Sequence, residues 1–520
     1  MLITEILARN ARMYRDEVAL VERDPAIGAR REITWLEFDR QASRFANALR
    51  AHGVRPGDWV AHLLMNCLEW LPAYFGILRS GAWAVPLNFR FEAQVIRGCA
   101  GLVRPRVLLF GPEFIERIEA IRADLDRDVE HYVYLGPEGG CTAFAVPYAA
   151  FAAQAPSRDP ALPLELTDTA ALYFTSGTTG LPKAVRLTHR NLEHACYVEN
   201  RHHGQTHDDN FLCIPPLYHT GAKMHWFGNL IVGARAVILK GVRPQWILEV
   251  VSEERATIAW LLVPWAHDIL IAHENGELDL GRYRLEQWRL MHIGAQPVPP
   301  SLVRAWLRLF PGHDYDTNYG LTETTGHGCV HLGLGNTEHI GAIGVPGFDW
   351  EARIVDFDGN DLPDGTPGEL LVKGPGVMRE YYRDPEASAA AIRDGWLHTG
   401  DIASRDEVGF VWLVDRKKDL IITGGENVSP VEVENHFMAH PAIQDIGVIG
   451  TPDVRLGELV TAVIQLKPGR TLSEREVLDY AEALPRYQRP RVIHFGAAPR
   501  NATGKIEKPK LRRRYAPADA

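Results

Sequence analysis

The strongest constraint on the fold is the repeated exchange of helical and strand periods along the chain. Thr34-Trp35-Leu36-Glu37 has the form of a capping box, so a helix is expected from there to about Ala51. A polar turn from Gly53 to Asp58 follows, and Trp59 to Met65 then reads as a strand. Asn66 with Glu69 three positions on predicts a second capped helix running to Leu78, and Ala82 to Leu87 the next strand. The same alternation continues through Ala256 to Val263, a helix beginning near Ser301 and the segment before Tyr319, without internal repeats or low-complexity tracts. Alternation of this kind places the chain in the α/β class, with parallel sheets.

Near residue 340 the texture changes to short β-rich runs broken by Gly, Pro and Asp, such as Ala352-Arg353-Ile354-Val355 and Glu369-Leu370-Leu371-Val372-Lys373. A small barrel-like or antiparallel sub-domain is expected there. The charged run Asp415-Arg416-Lys417-Lys418-Asp419 leaves a tail of about 100 residues, an ordinary domain size. By itself such a run is a solvated face; its position among the other motifs makes it a hinge. The expected organisation is therefore a large domain over residues 1–415 and a small mobile α+β domain over 416–520. A chain of 520 residues exceeds one ordinary core, which agrees with several packed units.

Hydrophobic residues make up 46% and charged residues 23% of the sequence, and the formal net charge of -10 argues against nucleic acid or an anionic membrane as partner. No apolar run approaches the roughly 20 residues of a membrane span, and the start Met1-Leu2-Ile3-Thr4-Glu5 lacks the pattern of a signal peptide, so a cytoplasmic protein is expected. Six scattered cysteines without a Cys-x-x-Cys pair suggest reduced thiols. His327 and His331 have the helical spacing of metal ligands, but the neighbouring glycines argue against a helix and no third ligand is evident.

The densest chemical signal is Thr175-Ser176-Gly177-Thr178-Thr179-Gly180-Leu181-Pro182-Lys183, flanked by the strand-like runs Ala171 to Phe174 and Ala184 to Leu187. Gly177 and Gly180 let backbone N–H groups approach an anion, Ser176, Thr178 and Thr179 add hydroxyl donors, and Lys183 adds charge. It is not a Walker A element, because Leu181-Pro182 separates glycine from lysine and a strand follows. Composition alone leaves a phosphate cradle and a plain polar hairpin loop both open.

The order of these residues resembles the signature of the adenylate-forming superfamily, which contains acyl-CoA synthetases, adenylation domains and beetle luciferases. Further collinear segments carry the same resemblance from about residue 30 to residue 514. Pro215 to Gly221 resembles the aromatic-histidine segment lining the carboxylate pocket, with His219 orienting or shielding the acyl carboxylate. Gly294-Ala295-Gln296 resembles the small-residue turn against adenine. Asn318-Tyr319-Gly320-Leu321-Thr322-Glu323 is similar to the segment where tyrosine stacks on adenine, threonine reaches phosphate and glutamate holds Mg2+. Asp401 matches the aspartate that accepts from the ribose hydroxyls, and Arg416 an arginine at ribose or phosphate. Lys418 matches the swivel, Gly424 and Gly425 the border of the pantetheine tunnel, and Lys505 the adenylation lysine.

The resemblance implies an ATP-dependent carboxylate-CoA ligase with ATP, Mg2+ and coenzyme A, in which Lys505, His219, Thr178, Lys183 and Glu323 carry the chemistry. A medium-chain, alicyclic or aromatic acid is the expected substrate, because Gly221 leaves space beside His219. Lys223 and His225 either face that pocket or lie on the surface. The alternatives are a ligase that loads a carrier protein and a catalytically silent nucleotide-binding protein. A homodimer is the base-rate expectation for such a chain.

Overall fold

The computed structural model describes residues 1–175, 182–326, 330–416, 419–423, 426–500 and 506–515. Two large sheets form its frame. One runs, in spatial order, from Asp314–Asp316 through Leu290–Gly294, Ile258–Leu262, Asn210–Cys213 and Arg235–Leu239 to Val18–Asp24, all parallel, and ends on the antiparallel strand Ala29–Thr34. The other has a parallel centre of Thr169–Phe174, Trp83–Pro86, Trp59–Leu63, Val107–Phe110, His131–Tyr134 and Val146–Pro147. Its opposite edge is antiparallel, made by Ala184–Thr188 and Glu380–Tyr381.

The helices between these strands bury nearly continuous apolar faces, as sheets covered on both sides require. The expected helix over Trp35–Ala51 is present with its capping box: Glu37 N donates to Thr34 Oγ1 at 3.2 Å, and Thr34 N donates to Glu37 Oε2 at 2.8 Å. The second expected cap is wrong. That helix begins at Trp70 and runs to Arg79. Asn66 is instead buried, its amide donating to Pro215 O at 3.0 Å while its oxygen accepts from Leu217 N at 2.8 Å. A side chain that satisfies a distant buried loop gains more than one capping an already covered turn.

The change of texture near residue 340 corresponds to an antiparallel sheet of Glu351–Val355, Gly368–Lys373, Trp396–Arg405, Ile392–Arg393 and Val411–Arg416. After it, Ile421–Thr423, Glu426–Val428, Ile443–Asp453, Gly457–Leu466 and Val492–Phe495 build a further sheet with its own core around Val433, Phe437, Val448 and Ala462. The α/β expectation therefore holds for the architecture. Among the described residues no helix is long and apolar enough to cross a membrane.

Candidate active site

The parallel strands Ile258–Leu262, Leu290–Gly294 and Asp314–Asp316 all end at one cavity of about 220 Å³. Open parallel sheets bind ligands beyond their carboxyl ends, where the loops diverge. Ala295, Gln296, Asn318, Tyr319, Gly320 and Asp401 line it, which unites three segments far apart in sequence. Asp445, Arg500, Ile506 and Lys508 close it from the C-terminal side. Arg500 Nη1 donates to Gln296 Oε1 at 2.7 Å and its Nε donates to Asp445 Oδ2 at 2.8 Å, tying that side to the 294–297 turn. Ala295 holds φ at +70°, a left-handed conformation that costs a non-glycine residue energy and here shapes the rim.

Tyr319 and Asp401 are both buried, and the tyrosine hydroxyl donates to Asp401 Oδ2. Asp401 and Arg416 are register partners in the ladder between Trp396–Arg405 and Val411–Arg416. The sequence places them 15 apart; the hairpin makes them neighbours.

The loop 175–183 joins the antiparallel strands Thr169–Phe174 and Ala184–Thr188, and Thr175 N donates to Lys183 O at 2.9 Å at its neck. Ser176, Gly177, Thr178, Thr179 and Gly180 lie outside the described residues, as do His327, Lys418, Gly424, Gly425 and Lys505. Lys183 Nζ stands 4.6 Å from the centre of the Tyr381 ring. Tyr381 Oη in turn donates to Glu323 Oε1 at 2.7 Å. Burial first, and then the Glu323 carboxylate, raise the phenol's pKa far above the usual range, so this donor keeps its proton. Glu323 and Thr322 are half-buried in a short helical turn, Thr322–Thr324. One oriented carboxylate beside hydroxyl donors suits Mg2+, which takes one or two protein carboxylates and completes its shell with phosphate and water. Tyr381 was not found from sequence, since nothing in the spacing of Tyr381-Tyr382 marks it.

His219 immediately precedes the helix Thr220–Val232. Its Nε2 is buried without a hydrogen-bond partner, and burial, then Lys223 and Arg90, lower its pKa to about 3, leaving a neutral imidazole. Gly326 ties Glu323's loop to this helix: a Cβ there would lie 2.6 Å from Gly221 N, and its φ is +93°. Lys223 and His225 are not on the surface. Lys223 Nζ is fully buried, donates to Leu217 O at 3.0 Å and His219 O at 3.2 Å, and lies 4.4 Å from the Tyr173 ring centre. It steadies the segment that presents His219. His225 Nδ1 meets Glu199 Oε2 at 3.1 Å behind the site.

The space left by Gly221 is also filled. A Cβ on Gly221 would lie 3.1 Å from Cη2 of Trp260, and one on Gly294 3.9 Å from its Nε1, so this indole spans the distance between the two glycines. The room expected beside His219 is therefore bounded by Trp260, a residue that sequence reasoning missed because it sits in an ordinary buried strand.

A cavity at the ends of parallel strands that is lined from the C-terminal side as well, and a loop lysine over a tyrosine that binds a carboxylate, define an adenylate-forming enzyme. The AMP-binding enzyme family matches residues 7–382, and the AMP-binding enzyme C-terminal domain matches residues 432–505. The chain is 35% identical to a feruloyl-CoA synthase of Amycolatopsis sp over 489 residues, covering 93% of this chain and 94% of that relative. It is 32% identical to a crotonobetaine/carnitine–CoA ligase of Citrobacter koseri over 513 residues, covering 96% and 97%. The crystal structure of the anthranilate CoA ligase AuaEII with anthranoyl-AMP superposes with a TM-score of 0.91 at 29% identity, covering 99% of this chain and 97% of that one. The chain belongs to the AMP-binding enzyme family, in its acyl-CoA synthetase branch, and is an AMP-forming acyl-CoA ligase.

Proposed function

We propose that this ligase activates a bulky monocarboxylic acid, aromatic or alicyclic in preference to a medium-chain acyl group, in two half-reactions at one site. In the first, a carboxylate oxygen attacks the α-phosphorus of ATP, the bond to the bridging oxygen breaks, and pyrophosphate leaves with the electron pair. In the second, the CoA thiol gives up its proton, its sulfur attacks the acyl carbon, and the bond to AMP breaks. No enzyme nucleophile is needed, so the residues act by positioning and by stabilising charge.

In this reading Lys183 and the hydroxyls of residues 175–179 hold the β- and γ-phosphates, Tyr319 stacks on adenine, and Asp401 with Arg416 holds the ribose. Mg2+ at Glu323 supplies phosphate charge neutralisation. Tyr381 keeps the Glu323 carboxylate oriented. The unpartnered Nε2 of His219, on an imidazole that stays neutral, hydrogen-bonds the acyl carboxylate. Lys505 bridges carboxylate and α-phosphate during adenylation. A boundary at residues 415–416 with a swivel at Lys418 then moves the smaller domain to admit CoA past Gly424 and Gly425.

The observation that carries the reaction is the Lys183–Tyr381–Glu323 arrangement. The substrate class is supported by Trp260 as an aromatic wall, by the likeness to a feruloyl-CoA synthase and by the structural likeness to an anthranilate CoA ligase. The test is pyrophosphate release with ATP and Mg2+ across short, medium, long, alicyclic and aromatic acids, with and without CoA. CoA-stimulated turnover of aromatic or alicyclic acids is expected. Turnover insensitive to CoA would instead mark a carrier-loading ligase, and silence on every acid a nucleotide-binding protein. Lys505→Ala should abolish adenylate formation and spare thioester formation from supplied acyl-adenylate.

A further inference from the structure

Behind the nucleotide cavity, four imidazoles and two carboxylates are packed together with at most 1% exposure each: Glu199, His203, His225, His292, Asp316 and His331. They come from five elements. Glu199 and His203 lie one turn apart on the helix His189–His203, His225 lies on the helix Thr220–Val232, and His292, Asp316 and His331 end three separate strands or lie within them. Ionisable groups are costly to bury, and none of these side chains has a role in the reaction above.

We propose that this cluster is a binding site for one first-row divalent transition ion, of the Zn2+ class, with His203 Nε2, His292 Nδ1 and Asp316 Oδ2 as protein ligands and a water as the fourth. The ligand atoms of His203, His292 and Asp316 lie within 4.8 Å of one another, and His331 stands behind Asp316. His203 Nε2 is 2.5 Å from Asp316 Oδ2 and 3.0 Å from His292 Nδ1, His292 Nδ1 is 3.6 Å from the same Asp316 oxygen, and His331 Nε2 is 2.9 Å from it. Ligands at about 2.0–2.1 Å from a tetrahedral ion stand roughly 3.3 Å apart, so an ion entering here must part His203 Nε2 and Asp316 Oδ2 by about 0.8 Å, while the other two pairs move by about 0.3 Å.

The outer contacts are those that ligands need. His203 Nδ1 faces Glu199 Oε1 at 2.8 Å, His292 Nε2 faces Asn318 Oδ1 at 3.1 Å, and Gly333 N donates to Asp316 Oδ1 at 3.1 Å. A metal-bound imidazole commonly donates its other N–H to a carboxylate or carbonyl oxygen, which fixes its tautomer. Hydrogen bonding alone serves the cluster less well. One proton on His203 Nε2 would have to satisfy both Asp316 and His292. A dication facing two carboxylates, with every imidazole neutral, leaves no net buried charge. Imidazole and carboxylate donors suit zinc, and also cobalt, nickel or iron.

The site has a structural consequence for the nucleotide. Asn318 lines the cavity, and its side-chain oxygen is held by His292. The ion would thus turn the Asn318 amide so that its NH2 faces the nucleobase.

The test uses the full chain. After removal of metal with a strong chelator, Co2+ is titrated in and the visible ligand-field spectrum recorded; metal content is measured after gel filtration of Zn2+-loaded protein. About one ion per chain is expected, with intense tetrahedral Co2+ bands and a midpoint of thermal unfolding several degrees higher with Zn2+ than after chelation. His203→Gln and His292→Gln should each lose the bands, whereas His207→Gln, at a partly exposed histidine that faces Glu17, should keep them. Should the buried variants fail to fold, the wild-type spectrum and unfolding midpoint decide alone. Wild-type protein with no tetrahedral bands and a midpoint unmoved by chelator or Zn2+ would overturn the proposal, as would bands lost in His207→Gln and kept in His203→Gln.

Discussion

The hydroxyl of Tyr381 donates to Glu323 at 2.7 Å while the Tyr381 ring lies beneath the Lys183 ammonium, so one aromatic side chain connects the lysine with the carboxylate. A hydrogen bond to a charged group contributes about 1.5–3 kcal/mol. Tyr381→Phe keeps the ring under Lys183 and removes only the donor. It should lower kcat/KM for MgATP about tenfold or more and raise the Mg2+ concentration needed for half-maximal pyrophosphate release. An unchanged Mg2+ dependence would separate Tyr381 from the reaction.

Gly221 and Trp260 should behave as a coupled pair. With a Cβ at 3.1 Å from the indole, Gly221→Val must push Trp260 toward the acyl pocket. We expect a fall of about tenfold or more in kcat/KM for bulky acids with the KM for ATP little changed. Trp260→Ala should extend the range toward longer acids at a stability cost of about 3–5 kcal/mol. The double variant should recover part of the loss, and a thermodynamic cycle on kcat/KM measures the coupling; additive effects would show that the two do not meet in the acid-bound enzyme.

Acid should destabilise the protein through histidines that are buried neutral. Burial, then Lys223, lower the His62 pKa from 6.5 to about 3, and neither ring nitrogen of His62 has a hydrogen-bond partner. The unfolded chain binds a proton there below pH 6.5 that the folded chain refuses until about pH 3. The stability contributed is therefore fully present above 6.5 and declines as pH falls toward 3. The slope is at most about 1.4 kcal/mol per pH unit for each such group. His189 and His194, both lowered to about 4, act in the same direction. His62→Phe should flatten the pH dependence of the urea midpoint between neutral and mildly acid pH, and an unchanged slope would exclude His62 as a contributor.

The contacts of Arg500 with Gln296 and Asp445 hold the C-terminal side against the 294–297 turn. Arg500→Ala should slow pyrophosphate release about tenfold, the cost of one charged hydrogen bond, and leave thioester formation from supplied acyl-adenylate nearly intact. Equal loss in both half-reactions would assign the arginine to folding alone.

What could be read in advance follows from how far each signal reaches along the chain. The capping box at Thr34 and Glu37 spans four residues, and it holds in the structure. Asn66 has a similar local look, yet its partners lie about 150 residues away, and the long-range bonds decided its role. His327 and His331 have the spacing of a helical pair; His331 instead lies in a strand, and the residues it meets come from elements that no local spacing connects.

Contiguous segments whose backbone and side chains act together, such as residues 175–183 and 318–323, determined the reaction class and the α/β architecture by themselves, because phosphate binding and strand-helix alternation are written in short windows. Tertiary structure alone decided that Tyr381 meets Glu323, that Trp260 occupies the space beside Gly221, and that four histidines surround Asp316 and Glu199. Those relationships arise when sheet pairing and burial bring together positions far apart in sequence, and no local propensity specifies which distant side chain will fill a given space.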